Sequence, residues 1–457
     1  MTNPSNDTTN DTNINPEEGN RMTTTTTENQ PTVVPATVAA ATGQAPKIDP
    51  SINAKVNAIV NEMNSLLLER GDVIEGAWVG RVAQEHLLMV GPGGTAKSLL
   101  SRRMASHISD ATYFETALDE TTDPSQVFGA PDIKAMVKDG KVRRVTENMM
   151  PEASEVFLDE FFNANGPLLH SIMPALNERV FHNDVVTPIP LRQMIAGTNK
   201  LNTDADQAAL WDRIHLRYIV GYIKDRANQA QMVGDAIARI AQSGRGVSTS
   251  LTGQSITQVT LADLDQAHKE SLALDVPDPV IDAFFDLRDE LQHGAAKVTI
   301  SDRRAVEGMA AVLANAWVRG HETVTVGDLD ILANMWWSLQ DQMATVRGVI
   351  LAATNPGEKA ALDLLKGLED LKKEIKQAND SDMDINRKKR VGVDAVKNTD
   401  RLLNEAQGHL DKATAAGTAT AKLVEVIAKA EAFKVEVGMS IFNLDPASMQ
   451  NLSNAGK

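Results

Sequence analysis

Residues 86–98 read HLLMVGPGGTAKS, a short apolar run that leads directly into a glycine-rich loop. A continuous apolar run of this length is typical of a strand buried on both faces. Apolar residues at helical spacing follow the loop. Small residues let successive backbone N–H groups turn inward around phosphate oxygens, and the next helix points the positive end of its dipole at them. The segment therefore predicts a strand, a phosphate-binding loop and a helix, in that order.

The residues of this segment that we expect to bind nucleotide are Gly91, Pro92, Gly93, Gly94, Thr95, Ala96, Lys97, Ser98 and Leu99. Lys97 is expected to bridge β- and γ-phosphate oxygens, and the Ser98 hydroxyl to ligate Mg²⁺. The strict motif has glycine where this chain has Ala96. Taken alone, the segment is also compatible with an ordinary glycine-rich turn, so other motifs have to decide.

A second apolar run, EVFLDE at residues 155–160, ends in two acidic residues. Asp159 is placed to hold Mg²⁺ through water, and Glu160 to activate the water that attacks the γ-phosphate. An acidic pair after a strand is also a common helix cap. Its position about 60 residues after the glycine-rich loop, one or two crossover units on, favours the catalytic interpretation.

A third apolar run, at residues 194–196, leads into Gly197, Thr198 and Asn199. Ligands bind at the carboxyl ends of parallel strands. Asn199 is therefore a candidate for orienting the attacking water or contacting the γ-phosphate. A turn asparagine is an equally good interpretation of this segment by itself.

The composition of the 457-residue chain excludes several classes of protein. It has no cysteine, so there is no disulfide scaffold, thiolate metal site or cysteine nucleophile. Its net charge of −16 makes nucleic acid an unlikely partner. No apolar run is long enough to span a membrane, and the N-terminus lacks a secretory pattern. We expect a cytoplasmic protein that does not bind membranes.

The pattern along the chain predicts an α/β fold with helical additions. Apolar runs alternate with helical patterns up to about residue 225, which predicts a parallel sheet with right-handed crossovers. Helical patterns then follow at 226–243, 261–273, 278–292, 302–318 and 327–344. Thr325 and Asp328 resemble a capping box that opens the last of these. The predicted organisation is a Thr/Asn-rich tail at 1–48, an α/β nucleotide-binding domain at 49–224, an α-helical lid at 225–347 and a helical tail at 348–457. Leucine spacing in this last segment predicts two or three antiparallel helices, a bundle or stalk that serves a partner or assembly rather than the chemistry.

The motifs together resemble the MoxR family of AAA+ ATPases, and most closely its RavA branch. The resemblance covers residues 50–345 and is carried by GPGGTAKS, QVFG at 126–129, VFLDE, LHSIMPALNERVF, GTN, ALWDR at 209–213 and SDRR at 301–304. Alanine before the lysine belongs to the family pattern, so Ala96 supports the match. The large β-rich insertion of RavA has no counterpart here.

The resemblance implies a P-loop NTPase with a five-stranded parallel sheet that binds ATP or ADP with Mg²⁺. It implies a homo-oligomeric ring, expected to be a hexamer, that remodels a protein client, with a von Willebrand factor A domain protein as a partner class. Arg213 matches the arginine finger that reaches the neighbouring subunit's nucleotide, with Arg217 a weaker candidate. Arg303 matches sensor 2, a lid arginine that contacts phosphate of its own chain, and Arg304 is its rival.

Two segments resemble insertions of this AAA+ clade, and they keep a second function open. Residues 129–150 fall where these proteins carry a hairpin, and 178–186 match helix, strand, turn and strand. The first segment is basic, as in a nucleic-acid motor related to MCM helicases or McrB. Strong salt-dependent DNA binding would favour that alternative. A nucleotide-gated scaffold with little turnover is a third hypothesis.

Overall fold

The computed structural model describes residues 48–199, 213–243, 256–295, 297–380, 383–415 and 421–442. Two helices, α1 (Pro50–Leu66) and α2 (Gly71–Ala83), precede the sheet. The Asp49 carboxylate accepts hydrogen bonds from the backbone N–H groups of Ser51 and Ile52, and Pro50 occupies the first helical position. The predicted nucleotide-binding domain, from residue 49, therefore begins with an N-capped helix.

The sheet has five parallel strands: β1 (Leu87–Val90), β2 (Tyr113–Ala117), β3 (Glu155–Asp159), β6 (Gln193–Thr198) and β7 (Leu216–Ile219). Their order across the sheet is β2-β3-β6-β1-β7. The central strands β1 and β6 are buried along their whole length, as continuous apolar runs predict. One apolar cluster fills one face of the sheet and continues into the lid, and a second fills the other face. The predicted α/β fold with a five-stranded parallel sheet is confirmed.

Short helices connect the strands: α3 (Lys97–Ser106), α4 (Pro124–Phe128), α5 (Ile133–Asp139) and α6 (Gly166–Glu178). The two predicted insertions lie together. One is the antiparallel hairpin β4 (Val180–Asn183) and β5 (Val185–Pro188). The other encloses α5 and is closed by a single bridge between Pro131 and Arg144. The Asn183 carboxamide accepts from the backbone N–H of Arg144 and donates to its carbonyl, so the insertions are fastened to each other.

The lid is helical, as predicted, with one difference near its end. Its helices are α7 (Arg226–Ser243), α8 (Leu261–Leu272), α9 (Asp278–His293), α10 (Asp302–Arg319) and α11 (Gln340–Thr354). The helix expected over 327–344 is instead a 3-10 helix (Val326–Asn334), an irregular link and the start of α11. The predicted capping box of Thr325 and Asp328 is present. In the link, the Arg304 guanidinium donates to the carbonyl oxygen of Met335, which is therefore satisfied outside a regular helix.

The helical tail consists of α12 (Pro356–Asp380), α13 (Ile385–Ala415) and α14 (Ala421–Phe442), with apolar clusters of its own. The predicted boundary after residue 347 falls inside α11. The helical conformation is interrupted at Asn355, between α11 and α12. The Asn355 side chain accepts from the backbone N–H of Glu358 and caps α12. Within the part of the chain that the structure describes, no helix has the length and apolar character needed to cross a bilayer.

Candidate active site

Three strands bring the predicted site residues to one edge of the sheet. β1, β3 and β6 are neighbours and parallel, so their carboxyl ends meet there. Val90, at the end of β1, pairs with Thr198, at the end of β6. The first loop residue, Gly91, continues this pairing by donating its N–H to the carbonyl of Thr198 at 2.9 Å. The glycine-rich loop, the acidic pair and Asn199 are therefore adjacent, as the sequence predicts.

The backbone of the loop explains its small residues. A Cβ at Gly91 would lie 1.9 Å from the carbonyl oxygen of Val220, so only glycine fits. Gly94 has a φ of +80°, and Ala96 adopts the left-handed conformation with a φ of 68°. The strict motif has glycine at this last position because that conformation costs an L-residue roughly 1 kcal/mol. Ala96 therefore keeps the loop's shape with some backbone strain.

Two side chains that were not predicted from the sequence, those of Arg70 and Tyr222, donate hydrogen bonds to backbone carbonyls of the loop. The buried Arg70 guanidinium donates to the carbonyl oxygens of Thr95 at 3.3 Å and Gly221 at 2.7 Å. Burial lowers the pKa of Arg70, and the neighbouring Glu69 carboxylate opposes this shift. The Tyr222 hydroxyl donates to the carbonyl of Gly93 at 3.2 Å. Nothing in the local sequence around either residue indicates a phosphate loop, because both reach it from distant segments.

Lys97 lies at the centre of the site. Its side chain is buried, and Nζ donates to the carbonyl oxygens of Gly91 at 2.8 Å and Pro92 at 3.3 Å. Its third contact is the side-chain oxygen of Asn199, at 3.3 Å. An ammonium has three N–H donors and no acceptor, so these contacts occupy all of them. The loop and β6 thus hold the cation where phosphate oxygens can replace the carbonyl acceptors.

Asn199 connects Lys97 to Glu160. Its amide nitrogen donates to Glu160 Oε1 at 2.5 Å, while its oxygen accepts from Lys97. Glu160 itself has a φ of 52°, an uncommon conformation for this residue type and one that is concentrated at functional sites. Its second carboxylate oxygen, Oε2, accepts from Asn163 Nδ2 at 3.1 Å. The predicted cation, polar sensor and general base therefore form one hydrogen-bonded chain.

The residues present at this edge fit a nucleotide-bound Mg²⁺. Asp159 ends β3, and its Oδ1 accepts from the backbone N–H of Glu160 at 3.0 Å. A Cβ at Gly197 would lie 2.4 Å from the same oxygen, so glycine on β6 leaves room for this carboxylate. Ser98 lies in the first turn of α3, next to the loop. A hydroxyl and a carboxylate are the hard oxygen donors that Mg²⁺ takes beside phosphate.

A cavity of about 400 Å³ lies between the sheet and the lid. Its walls come from the start of α2, from β7 and from the lid: residues 69–73 and 217–220, with Asn334, Met343 and Arg347. Arg70 and Val220 belong both to this wall and to the support of the phosphate loop. The cavity could not be predicted from the sequence, because its walls come from distant parts of the chain.

Two predicted cations lie at the opposite, amino-terminal edge of the sheet. Arg213 stands three residues before β7, and Arg303 donates to Asn177 Oδ1 at 3.3 Å, at the carboxyl end of α6. The four residues of β1 separate the two edges by about 13 Å. The structure therefore does not bring Arg303 to the phosphate loop of its own chain, contrary to the expected sensor 2 contact. The rest of the ALWDR motif, residues 209–212, lies outside the described residues.

The rival arginines are buried in the fold. Arg217 on β7 donates to the carbonyl of Ile214 at 3.0 Å and lies 5.9 Å from the ring of Trp337. Arg304 donates to the carbonyl of Met335 at 2.7 Å. Both have structural contacts that a role toward phosphate would break.

Comparison with known proteins gives two family matches. A model of the MoxR domain in the MoxR-vWA-β-propeller ternary systems matches residues 54–260, and a model of an AAA lid domain matches residues 279–350. The crystal structure of a candidate ATPase from Cytophaga hutchinsonii covers 67% of this chain and 96% of its own, with a TM-score of 0.51. At 15% identity, this likeness shows the fold alone.

Several proteins are also similar in sequence. An uncharacterized protein of Methanocaldococcus jannaschii is 29% identical over 316 residues, which is 69% of this chain and 78% of that protein. A second from the same organism is 30% identical over 319 residues, 70% of this chain and 81% of that protein. A structural protein of Acidianus two-tailed virus is 26% identical over 239 residues, half of this chain and 36% of its own length. The matched domains, the lid and the motifs at the edge of the sheet show that the chain belongs to the MoxR family of AAA+ ATPases.

Proposed function

We propose that the chain binds ATP with Mg²⁺ and hydrolyses it to ADP and phosphate. The single observation that carries this proposal is the hydrogen-bonded chain from Lys97 through Asn199 to Glu160, directly beside the glycine-rich loop. It joins Lys97, which neutralises phosphate charge, to Glu160, which accepts a proton. Mg²⁺, held by Ser98 and Asp159, would supply charge neutralisation at the β- and γ-phosphate oxygens.

The protein's own residues divide the reaction between them. Lys97 exchanges its carbonyl acceptors for phosphate oxygens, and the backbone N–H groups of the loop bind the remaining phosphate charge. Asn199 orients the water in line with the bond that breaks, and Glu160 accepts the proton of that water. The cavity lined by Arg70 and Arg347 is the position we assign to the adenine base, since Arg70 in its wall also donates to the carbonyl of Thr95 in the loop.

We further propose that the active unit is a ring, with six subunits as the expected number. Arg213 and Arg303 lie at one edge of the sheet and the phosphate loop at the other. A head-to-tail arrangement, in which one surface meets a different surface of the next copy, closes into a ring. It would bring the cations of one subunit to the phosphates of its neighbour, where a fixed arginine stabilises the charge of the transition state.

We propose that this ring acts in the cytoplasm. There it would remodel a protein client together with a von Willebrand factor A domain protein. The support for the partner is the family model, which describes MoxR domains of MoxR-vWA-β-propeller systems. Membership of the RavA branch remains a prediction. A pull-down with Glu160→Gln, which should hold its client, tests this proposal with the full chain and with a chain ending at Asn355. Loss of the partner only in the shortened chain would assign partner binding to α12–α14.

The contacts of the basic insertion count against the alternative of a nucleic-acid motor. Lys141 pairs with Asp184 at 3.1 Å, and Arg143 with Asp132 at 2.9 Å. Arg144 donates to the Ser125 hydroxyl and to the carbonyl of Gly129. Most of these cations are thus already engaged within the protein, and phosphate contacts would have to replace these bonds.

Nucleotide affinity and phosphate release, measured for variants of two residues, test the proposed activity. Lys97→Ala should lose ATP binding, because Lys97 contacts phosphate in the ground state. Glu160→Gln should bind ATP and lose about 10²–10⁴-fold in kcat, since its carboxylate acts on the water. Lys373→Ala, at an exposed site in the tail, is the control. Turnover at the wild-type rate in Glu160→Gln would overturn the assignment of the base. Binding without turnover in the wild type would favour the nucleotide-gated scaffold.

A further inference from the structure

The turn after β3 fixes a second amide against Glu160. Residues Phe161–Asn163 form one turn of 3-10 helix, and the backbone N–H of Asn163 donates to the carbonyl of Glu160 at 2.8 Å. Phe161 and Phe162 are buried in the core and pack edge to face, with ring centroids 5.4 Å apart. These two anchors hold the backbone of the turn, so the position of the exposed Asn163 is set by the core.

The side chain of Asn163 completes the contacts of the Glu160 carboxylate. Asn163 Nδ2 donates to Oε2 at 3.1 Å, on the opposite side from Asn199, which donates to Oε1. Each carboxylate oxygen offers two lone pairs, so one remains on each oxygen for a proton from water. Two fixed donors restrict rotation of the carboxyl group about its terminal torsion, which is otherwise broad. A general base must lie within hydrogen-bond reach of the proton that it takes.

We propose that Asn163 is a positioning residue, which holds the Glu160 carboxylate in the orientation that accepts the proton of the attacking water. This proposal rests on the proposed function, since it acts through Glu160. It assigns the turn after β3 a role in the rate of hydrolysis and none in nucleotide binding. Asn165, two residues further on, supplies a contrast. It accepts from the backbone N–H of Leu168 and donates to the carbonyls of Glu120 and Thr122, so it caps α6 without touching Glu160.

Steady-state hydrolysis by the full chain tests the proposal in Asn163→Ala, Asn163→Asp, Asn165→Ala and Glu160→Gln. Asn163→Ala should lower kcat about tenfold and leave KM within about twofold, since it removes one orienting contact of the base. Asn163→Asp should lower kcat further than alanine does. Aspartate keeps the shape and the backbone bond of the turn but places a second carboxylate against Glu160. A purely structural role predicts the reverse order, because aspartate suits turns better than alanine.

Thermal unfolding of each variant separates positioning from folding. Asn165→Ala should lower Tm with kcat nearly unchanged, whereas the Asn163 variants should lower kcat with Tm nearly unchanged. Wild-type kcat in both Asn163 variants would overturn the proposal, and so would a higher kcat in Asn163→Ala or an alanine loss at least as large as the aspartate loss. If Glu160→Gln itself hydrolyses at the wild-type rate, the assignment of the base fails and this proposal fails with it. If Glu160→Gln is inactive but the Asn163 variants keep the wild-type kcat, only the positioning role of Asn163 is contradicted, and the proposed function stands.

Discussion

Adjacent arginines at the start of α10 have different environments. Arg304 is 4% exposed, and its guanidinium donates to the carbonyls of Thr299, Met335 and Trp337. Arg303 is exposed and donates to the side-chain oxygen of Asn177. A one-residue step along a helix turns a side chain by about 100°, so only one of the two can face the core. The SDRR motif predicts an arginine with a role here, but burial is needed to choose between them.

Stability measurements should separate these two arginines. Arg304→Ala should lower the free energy of unfolding by about 2–4 kcal/mol, because it leaves several buried carbonyl groups without a donor. Arg303→Ala should cost less than about 0.5 kcal/mol, as for an exposed side chain, while lowering hydrolysis by rings. Denaturant unfolding at one pH compares them. Equal losses of stability would contradict these assignments.

The positions in the fold that could be predicted from the sequence are those that directly follow an apolar strand. The loop, Asp159 and Asn199 all follow apolar strands, so their common edge follows from the parallel sheet. Arg70, Tyr222 and Asn163 were missed. The first two reach the loop from other segments, and the third acts through a turn whose register depends on the burial of the two phenylalanines.

At the scale of elements, α10 and the start of β1 meet through two carboxyl groups. Glu85, buried before β1, hydrogen-bonds to Glu307 of α10, and His215 Nδ1 lies 2.6 Å from Glu85 Oε2. Burial raises the pKa of Glu85 to about 7, although Glu307, Arg179 and Arg303 partly oppose the shift. Burial, together with the neighbouring Glu85 carboxylate, raises the pKa of Glu307 to about 7. The lid and the sheet thus meet at a pair of carboxyl groups, Glu85 and Glu307, whose protonation is favoured in the folded state.

Stability should depend on pH through this pair of carboxyl groups. Both folded pKa values lie above the unfolded value of about 4.3, so the folded state binds more protons between the two. The stabilisation is complete below the unfolded pKa and is lost as pH rises through about 7. Glu307→Gln, which is neutral at every pH, should gain stability relative to wild type between pH 5 and pH 8. The exposed Glu322→Gln is the control. Parallel curves for wild type and Glu307→Gln would contradict this account.

Helix boundaries show where sequence patterns stop being sufficient. The lid and the tail were predicted as helical, which the structure confirms, and the capping box at Thr325 was correct. The break before α11 was not predicted; its Met335 carbonyl accepts from Arg304, more than 30 residues earlier, and a local helical pattern contains no such contact. The predicted boundary at residue 347 falls within α11, where Val346 and Ile350 are buried in the core.

At the scale of the whole molecule, the residues proposed for hydrolysis are divided between two edges of the sheet. The phosphate loop, Asp159, Glu160 and Asn199 lie at one edge of the sheet, and Arg213 and Arg303 at the other. The family predicts a ring from sequence, but only the structure shows that neither arginine is brought to the loop of its own chain. The central claim is therefore that hydrolysis takes place between subunits.

Mixing two inactive variants tests this claim most directly. Arg213→Ala keeps an intact phosphate loop without the finger, and Lys97→Ala keeps the finger without a working loop. Each alone should show less than about 1% of wild-type hydrolysis, given what such fingers contribute elsewhere. In random mixed rings, about one interface in four pairs an intact loop with an intact finger, so activity should reappear and peak near equal ratio. No recovery at any ratio, in rings shown to contain both variants, would contradict a site shared between subunits.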